Sequence, residues 1–233
     1  MDRLKKWDKD EGAGPVTEAD LAVNAYLEDT LQAARPDYGW LSEETEDSEA
    51  RLKKSRAFVI DPIDGTRSFI EGSTTWAHSI ALVEDGRPVA AVVYLPLRQK
   101  LYAAALGQGA TLNGKAIMAS RRSKLEGSEL LAARPAFEPH HWKSAPPDLK
   151  RAYRPSLAYR LALVAEGRYD GMLTLRRSWE WDIAAGALLI TEAGAQVSDR
   201  KGADLRFNKS DPASNGVVAS SANIHAELIK ALA

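Results

Sequence analysis

Apolar positions along the chain follow two regimes. From about residue 57 to residue 105 they come in short runs bounded by turn residues, which read as strands. These runs are Val59-Ile60, residues 79–83, residues 88–94 and residues 101–105. Asp85-Gly86 falls between the second and third, and this dipeptide suits a tight hairpin turn. Elsewhere the spacing is helical. Thr17-Glu18-Ala19-Asp20 predicts a helix entry, with Thr17 as cap and acids in the first turn. Leu21, Ala22, Ala25, Leu27 and Leu31 then supply the expected apolar face, until Pro36 stops the helix. Further helices are predicted over 157–166, ended by Gly167, over 182–193, ended by Gly194, and over 224–232. Strands at 172–175 and near Val217-Val218 complete the pattern. Residues 1–14 read as a loose polar start, 46–54 as a solvated charged connector, and 134–155 as a variable crossing segment. A block of consecutive strands flanked by helices predicts α+β layers rather than a doubly wound parallel sheet. A seam is expected near residues 120–130.

Composition narrows the class. A net charge of −1 over 233 residues gives no general attraction to nucleic acid or to a membrane surface. No apolar run approaches the roughly 18 residues of a membrane span. The start, Met1-Asp2-Arg3-Leu4-Lys5-Lys6-Trp7, lacks the apolar core of a secretion signal. The chain has no cysteine, which excludes disulfides, thiolate metal sites and a cysteine nucleophile. A cytoplasmic location is the expectation.

The chemistry concentrates where Phe58-Val59-Ile60 runs into Asp61. Pro62 turns the chain out of the sheet, Asp64 follows three residues after Asp61, and Gly65 and Thr66 offer a permissive backbone and a hydroxyl. A plain polar turn is the competing reading, since Asp-Pro and Asp-Gly are ordinary turn dipeptides. Two further acidic pieces weigh against it. Trp40-Leu41-Ser42-Glu43-Glu44-Thr45 puts paired glutamates after a short apolar stretch. Trp179-Glu180-Trp181-Asp182 puts Asp182 at the mouth of a helix of small residues, where a simple N-cap is the alternative. Oxygen ligands from separate segments suit Mg²⁺. Two such ions, some 3.5–4 Å apart, can hold both the attacking and the leaving oxygen of a phosphoryl transfer.

Together these pieces resemble the lithium-sensitive, magnesium-dependent phosphatase superfamily of the inositol monophosphatases and 3′(2′),5′-bisphosphate nucleotidases. The matching segments are Pro15-Val16-Thr17-Glu18-Ala19-Asp20, Ser42-Glu43-Glu44, Asp61-Pro62-Ile63-Asp64-Gly65-Thr66 and Trp181-Asp182-Ile183-Ala184-Ala185-Gly186, in family order. The resemblance spans residues 15 to about 220. It implies a layered αβαβα sandwich of the inositol monophosphatase and fructose-1,6-bisphosphatase type. It further implies one catalytic domain over 1–233, with lobes of about 1–125 and 126–233. Two or three Mg²⁺ ions are implied: a first held by Glu43, Asp61 and the carbonyl of Ile63, a second by Asp61, Asp64 and Asp182. Glu43 and Thr66 would activate the water, with Asp20 bonded to Thr66, and the amides of Gly65 and Thr66 would bind phosphate. Glu44, Trp179, Trp181 and the four histidines are read as structural or surface residues. The resemblance also implies a helix ahead of the Val16-Thr17 motif, for which the sixteen residues before Thr17 leave little room.

Inositol-specific members carry a glutamate just before the Trp-Asp motif, and residues 172–177 here contain no acid. Arg67, Arg160, Arg176 and Arg177 stand around the expected pocket instead. Arginines there favour a substrate with a second anionic group, such as the 5′-phosphate of a 3′,5′-bisphosphate nucleotide. Residues 161–167, Leu-Ala-Leu-Val-Ala-Glu-Gly, also resemble the bacterial bisphosphate-nucleotide branch. The expected reaction is conversion of that nucleotide to AMP and phosphate. Inositol-1-phosphate and histidinol phosphate are the alternative substrates, and a catalytically idle regulatory protein is the non-enzyme alternative. The expected partner is a small phosphate ester, with no nucleic-acid polymer and no membrane, and a homodimer as the candidate assembly.

Overall fold

The computed structural model describes residues 5–8 and 14–233. A short hairpin opens it: β1 (Lys6–Asp8) pairs antiparallel with β2 (Pro15–Thr17), so part of the start expected to be loose is a strand. Thr17 then caps α1 (Glu18–Ala34). Its side chain accepts from the amides of Ala19 and Asp20, while the Asp20 carboxylate accepts from the Thr17 amide at 2.9 Å, closing a capping box.

The predicted apolar face of α1 is not the face it buries. Asp20 and Asn24 are its buried residues, whereas Leu21 is 41% exposed and Tyr26 69%. Specific polar partners set the helix's rotation. Asn24 bonds the hydroxyls of Ser42 and Thr45, and Asp20 accepts from Thr66. An apolar count could not see those partners.

The larger sheet contains β3 (Gly39–Ser42), β4 (Arg56–Asp64), β5 (Ala77–Glu84), β6 (Arg87–Leu95), β7 (Lys100–Ala105), β8 (Ala110–Leu112) and β9 (Lys115–Ile117), in that spatial order. Only the β3–β4 pair is parallel. The hairpin between β5 and β6 turns through Asp85 and Gly86, with φ of 48° and 79°, as the dipeptide predicts. The β4–β5 ladder slips between Asp61 and Asp64, because Pro62 has no N–H to give it. That irregularity lifts the Asp-rich end of β4 out of the sheet and into a short helix, α2 (Thr66–Ile70).

Residues 46–54 are less solvated than their charges suggest. A 3-10 turn at Glu49–Lys53 buries Arg51 to 2% exposure, and a Cβ on Gly39 would lie 2.9 Å from that of Arg51. A glycine in β3 is what lets the arginine in.

The second sheet has the order β11 (Lys150–Ala152), β10 (Glu129–Leu131), β12 (Gly171–Trp179), β14 (Ala213–Ser220), β13 (Gln196–Ser198). Between the sheets lie α3 (Leu157–Ala165) and α4 (Glu180–Glu192). Every residue of α3 is buried, and α4 is apolar nearly all round, as a helix between two layers must be. The two helices approach closely: a Cβ on Gly186 would meet the Leu161 side chain at 2.4 Å. α5 (Ala222–Ala231) covers the outer face of the second sheet through Ile224 and Leu228, in a cluster with Leu173 and Val218. With α1 packed against β4 on the far side, the layers run α, β, α, β, α, as expected. Among the described residues no helix is long and apolar enough to cross a membrane.

Candidate active site

Three elements deliver acids to one place. Glu43 follows β3, and its amide bonds the Ile60 carbonyl at 3.2 Å, so pairing with β4 sets its position. Asp61 and Asp64 come from the slipped end of β4, and Asp182 from the first turn of α4. Trp179 is the N-cap of that helix and Asp182 is three residues inside it, so Asp182 is not a cap. Carboxylate oxygens of Glu43, Asp61 and Asp182 all lie within 4.8 Å of one another.

Asp64 sits beside this trio with its Oδ2 committed elsewhere. It accepts from Ser156 Oγ and from the Ala158 amide, both at 2.6 Å, at the start of α3. Burial pushes the Asp64 carboxyl up to about 6, against the pull of those two donors and of Arg160. Burial, and then the neighbouring acids, hold Asp61 and Asp182 well above the usual carboxylate range. Asp61 Oδ1 is buried without a hydrogen-bond partner. A buried, unsatisfied carboxylate oxygen facing two other carboxylates is costly unless a cation joins them. An all-oxygen donor set suits a hard divalent ion.

Above the acids, Thr66 Oγ1 lies 3.1 Å from Asp20 Oδ1 and 3.2 Å from the Ile63 carbonyl. Asp20 Oδ2 accepts from both the amide and the hydroxyl of Thr17, at 2.9 and 2.5 Å. Gly65 precedes α2 with φ of 99°, a left-handed conformation that a side chain would strain. A cleft of about 280 Å³ lies over these groups, lined also by Gly14, Arg67, Tyr153 and Arg176.

The arginines divide. Arg67 and Arg176 both line the cleft, whereas Arg177 turns away to pair with Asp211 and to lie over the Trp179 ring, 4.7 Å from its centroid. Arg160 is 5% exposed and donates to the carbonyls of Arg154 and Pro155. It lines an adjoining cavity of about 270 Å³, beside Arg176, Tyr153 and Thr174, rather than the acid-lined cleft. Sequence reasoning missed Ser156 and Tyr153. A serine immediately before the apolar run at Leu157 is a legible N-cap signal, but nothing in it announces a bond to Asp64.

The histidines stay out of the cleft. His78 Nδ1 shares a hydrogen bond with the Pro62 carbonyl at 2.5 Å, and His225 Nε2 contacts Ser198 Oγ at 2.8 Å. Trp179 and Trp181 stack on one another, 4.9 Å between centroids.

Mixed sheets enclosing two helices, with acids from a strand end, a loop and a helix start meeting beside a threonine–aspartate pair, define a phosphoric monoester hydrolase. The chain belongs to the inositol monophosphatase family, whose model matches residues 2–233. It is 36% identical over 217 residues to an inositol-1-monophosphatase of Mesorhizobium japonicum, covering 87% of this chain and 79% of that one. It is 38% identical over 201 residues to the Nus factor SuhB of Xylella fastidiosa, covering 81% and 70%. Among solved structures, extragenic suppressor protein suhB from Bartonella henselae superimposes with a TM-score of 0.81 at 29% identity, covering 98% of this chain and 88% of that one.

Proposed function

We propose that this chain hydrolyses a small phosphate monoester carrying a second anionic group, the 3′(2′),5′-bisphosphate nucleotide class, with Mg²⁺ held by its buried acids. The observation that carries the reading is the Glu43–Asp61–Asp182 cluster with its unpartnered Asp61 Oδ1. Glu43, Asp61 and the Ile63 carbonyl would hold one ion, and Asp61, Asp64 and Asp182 another. Bound there, Mg²⁺ supplies charge neutralisation for the phosphate and a lowered pKa for water. Residues 1–233 would act as a single catalytic domain.

The chain's own groups set the geometry. Because Thr17 donates twice to Asp20, that carboxylate is fixed as an acceptor, and the Thr66 hydroxyl points its proton toward it. The Thr66 oxygen then keeps a lone pair for a water proton, which orients the attacking oxygen, with Glu43 as the second acceptor. The amides of Gly65 and Thr66 are assigned to the phosphate.

Arg67 and Arg176, both on the cleft, support a second anion on the substrate. A second reading, inositol-1-phosphate, is favoured by the name of the Mesorhizobium japonicum relative. Phosphate release with Mg²⁺ from adenosine 3′,5′-bisphosphate, inositol-1-phosphate and histidinol phosphate separates the readings. The bisphosphate is expected to be fastest. Arg176→Ala should lower kcat/KM for it about 10- to 100-fold, the size of one lost charge-assisted contact, and should spare the monophosphates. Preference for inositol-1-phosphate would replace the substrate assignment, and no release from any ester would overturn the hydrolase reading for this chain.

A further inference from the structure

A chain of polar contacts, buried at Arg51 and Glu180 and exposed at Asp47, joins the segment after Glu43 to the start of α4. Arg51 donates through Nε and Nη2 to both carboxylate oxygens of Asp47, at 2.6 and 2.7 Å. Its Nη1 donates to Asn208 Oδ1 and its Nη2 to the Lys209 carbonyl, both at 2.8 Å. The Asn208 amide in turn donates to Glu180 Oε2 at 2.6 Å. Glu180 is fully buried, and its own amide bonds the Pro212 carbonyl at 2.9 Å. Asp47 lies four residues after Glu43, and Glu180 two residues before Asp182. Asn208 holds φ of 58°, a left-handed turn that puts its side chain on Arg51 and its amide on Glu180.

From this geometry we infer that Arg51 is a positioning residue that sets the spacing of Glu43 and Asp182 across the acid cluster, an inference that rests on the metal-binding reading above. Two of the three clustered acids come from segments 139 residues apart in sequence, and the larger sheet ties them indirectly, through the Glu43 amide on the Ile60 carbonyl and through the Ser79 hydroxyl, which donates to the Trp181 carbonyl at 2.9 Å. The Asp47–Arg51–Asn208–Glu180 chain adds a second tie between the same two segments, made of side chains. A planar guanidinium can reach Asp47, Asn208 and the Lys209 carbonyl at once, whereas a lysine ammonium cannot keep that fork. Groups that hydrogen-bond a metal ligand directly govern metal affinity by about 10- to 100-fold, and Arg51 acts one contact further out, so a smaller effect of about 3- to 10-fold is expected.

The test is Mn²⁺ binding, followed by electron paramagnetic resonance of the free ion, on the parent chain and on Arg51→Lys, Arg51→Met and Asn208→Ala. Thermal unfolding is measured in parallel in chelator. Mn²⁺ affinity is expected to fall about 3-fold or more in all three variants, with kcat largely restored at saturating cation, so that the loss sits in cation affinity. Leu228→Ala, in the outer apolar cluster, should lower stability and leave Mn²⁺ binding unchanged. If Arg51→Met does not fold, Asn208→Ala still removes one arm of the network. Variants that bind Mn²⁺ within about twofold of the parent would overturn the positioning role. A parent that binds no Mn²⁺ would instead overturn the metal-site reading itself.

Discussion

Replacing Ser156 with alanine tests how the second sheet's helices reach into the acid cluster. Ser156 is fully buried, and its hydroxyl does two things at once. It accepts from the Tyr159 amide at 3.0 Å as the N-cap of α3, and it donates to Asp64 Oδ2 at 2.6 Å. Loss of the cap costs about 1 kcal/mol. Loss of a hydrogen bond to a buried charged group costs about 1.5–3 kcal/mol more, since water cannot replace it. The sum, about 2.5–4 kcal/mol, is a large share of the roughly 5–15 kcal/mol that keeps an ordinary domain folded. Urea unfolding in chelator, followed by circular dichroism, should show that loss with an unchanged dependence on urea. Ser156→Ala combined with Asp64→Asn isolates the pair, and a coupling of about 1.5–3 kcal/mol is expected. A loss near 1 kcal/mol with no coupling would mean that the serine only caps the helix, and the claim that α3 orients Asp64 would fail.

Two further outcomes follow from packing and burial. Gly186→Ala would place a methyl 2.4–2.5 Å from Leu161 Cδ1 and Cβ, and Cβ cannot swing away, so α3 and α4 must part. Overpacking of about 1–3 kcal/mol should outweigh the gain of up to about 1 kcal/mol in helix propensity. Leu161→Ala should recover part of that loss in the double variant, and additive effects in unfolding experiments would disprove the contact. Burial holds the His225 imidazole below its usual range, and the same is true of His78. The folded state therefore prefers both rings neutral. Their contribution is complete above the unfolded value, about 6.5, and declines as pH falls from there toward the folded value. His225→Asn should flatten, without abolishing, that acid-side decline in unfolding free energy, and an unchanged slope would count against the assignment.

The acids were legible from sequence because each follows a local signal. An apolar strand end precedes Asp61, a short apolar stretch precedes Glu43, and a run of small residues follows Asp182. The long strands and four of the helices were legible for the same reason. What was not legible depends on partners distant in sequence. The buried face of α1 is chosen by Ser42, Thr45 and Thr66 rather than by its leucines. Arg51 looks like part of a charged connector until Asn208 and Lys209 close over it, 157 and 158 residues later. Arg176 and Arg177 are indistinguishable as letters, yet strand alternation sends one to the cleft and the other to Asp211. The three-residue strands β8, β9, β10, β11 and β13 are too short for any period to register.

The placement of the aspartates explains how a fold tolerates so much negative charge in one spot. Asp20 sits in the first turn of α1, where it accepts from the Thr17 amide. Asp64 accepts an amide at the start of α3, and Asp182 lies in the first turn of α4. Each meets the positive end of a helix dipole, worth about 0.3–1 kcal/mol at a surface and up to about 2 kcal/mol when partly buried. These offsets act against the desolvation that raises Asp64 and Asp182. Asp61 has no such support. It projects from a strand, is buried to 1% exposure, and keeps one oxygen without a partner, with Glu43, Asp64 and Asp182 all repelling its charge. Helix starts offset part of the charge on the other aspartates, whereas Asp61 must take up a proton or meet a cation. That asymmetry supports the proposal that Asp61 bridges two ions in a metal-binding cluster.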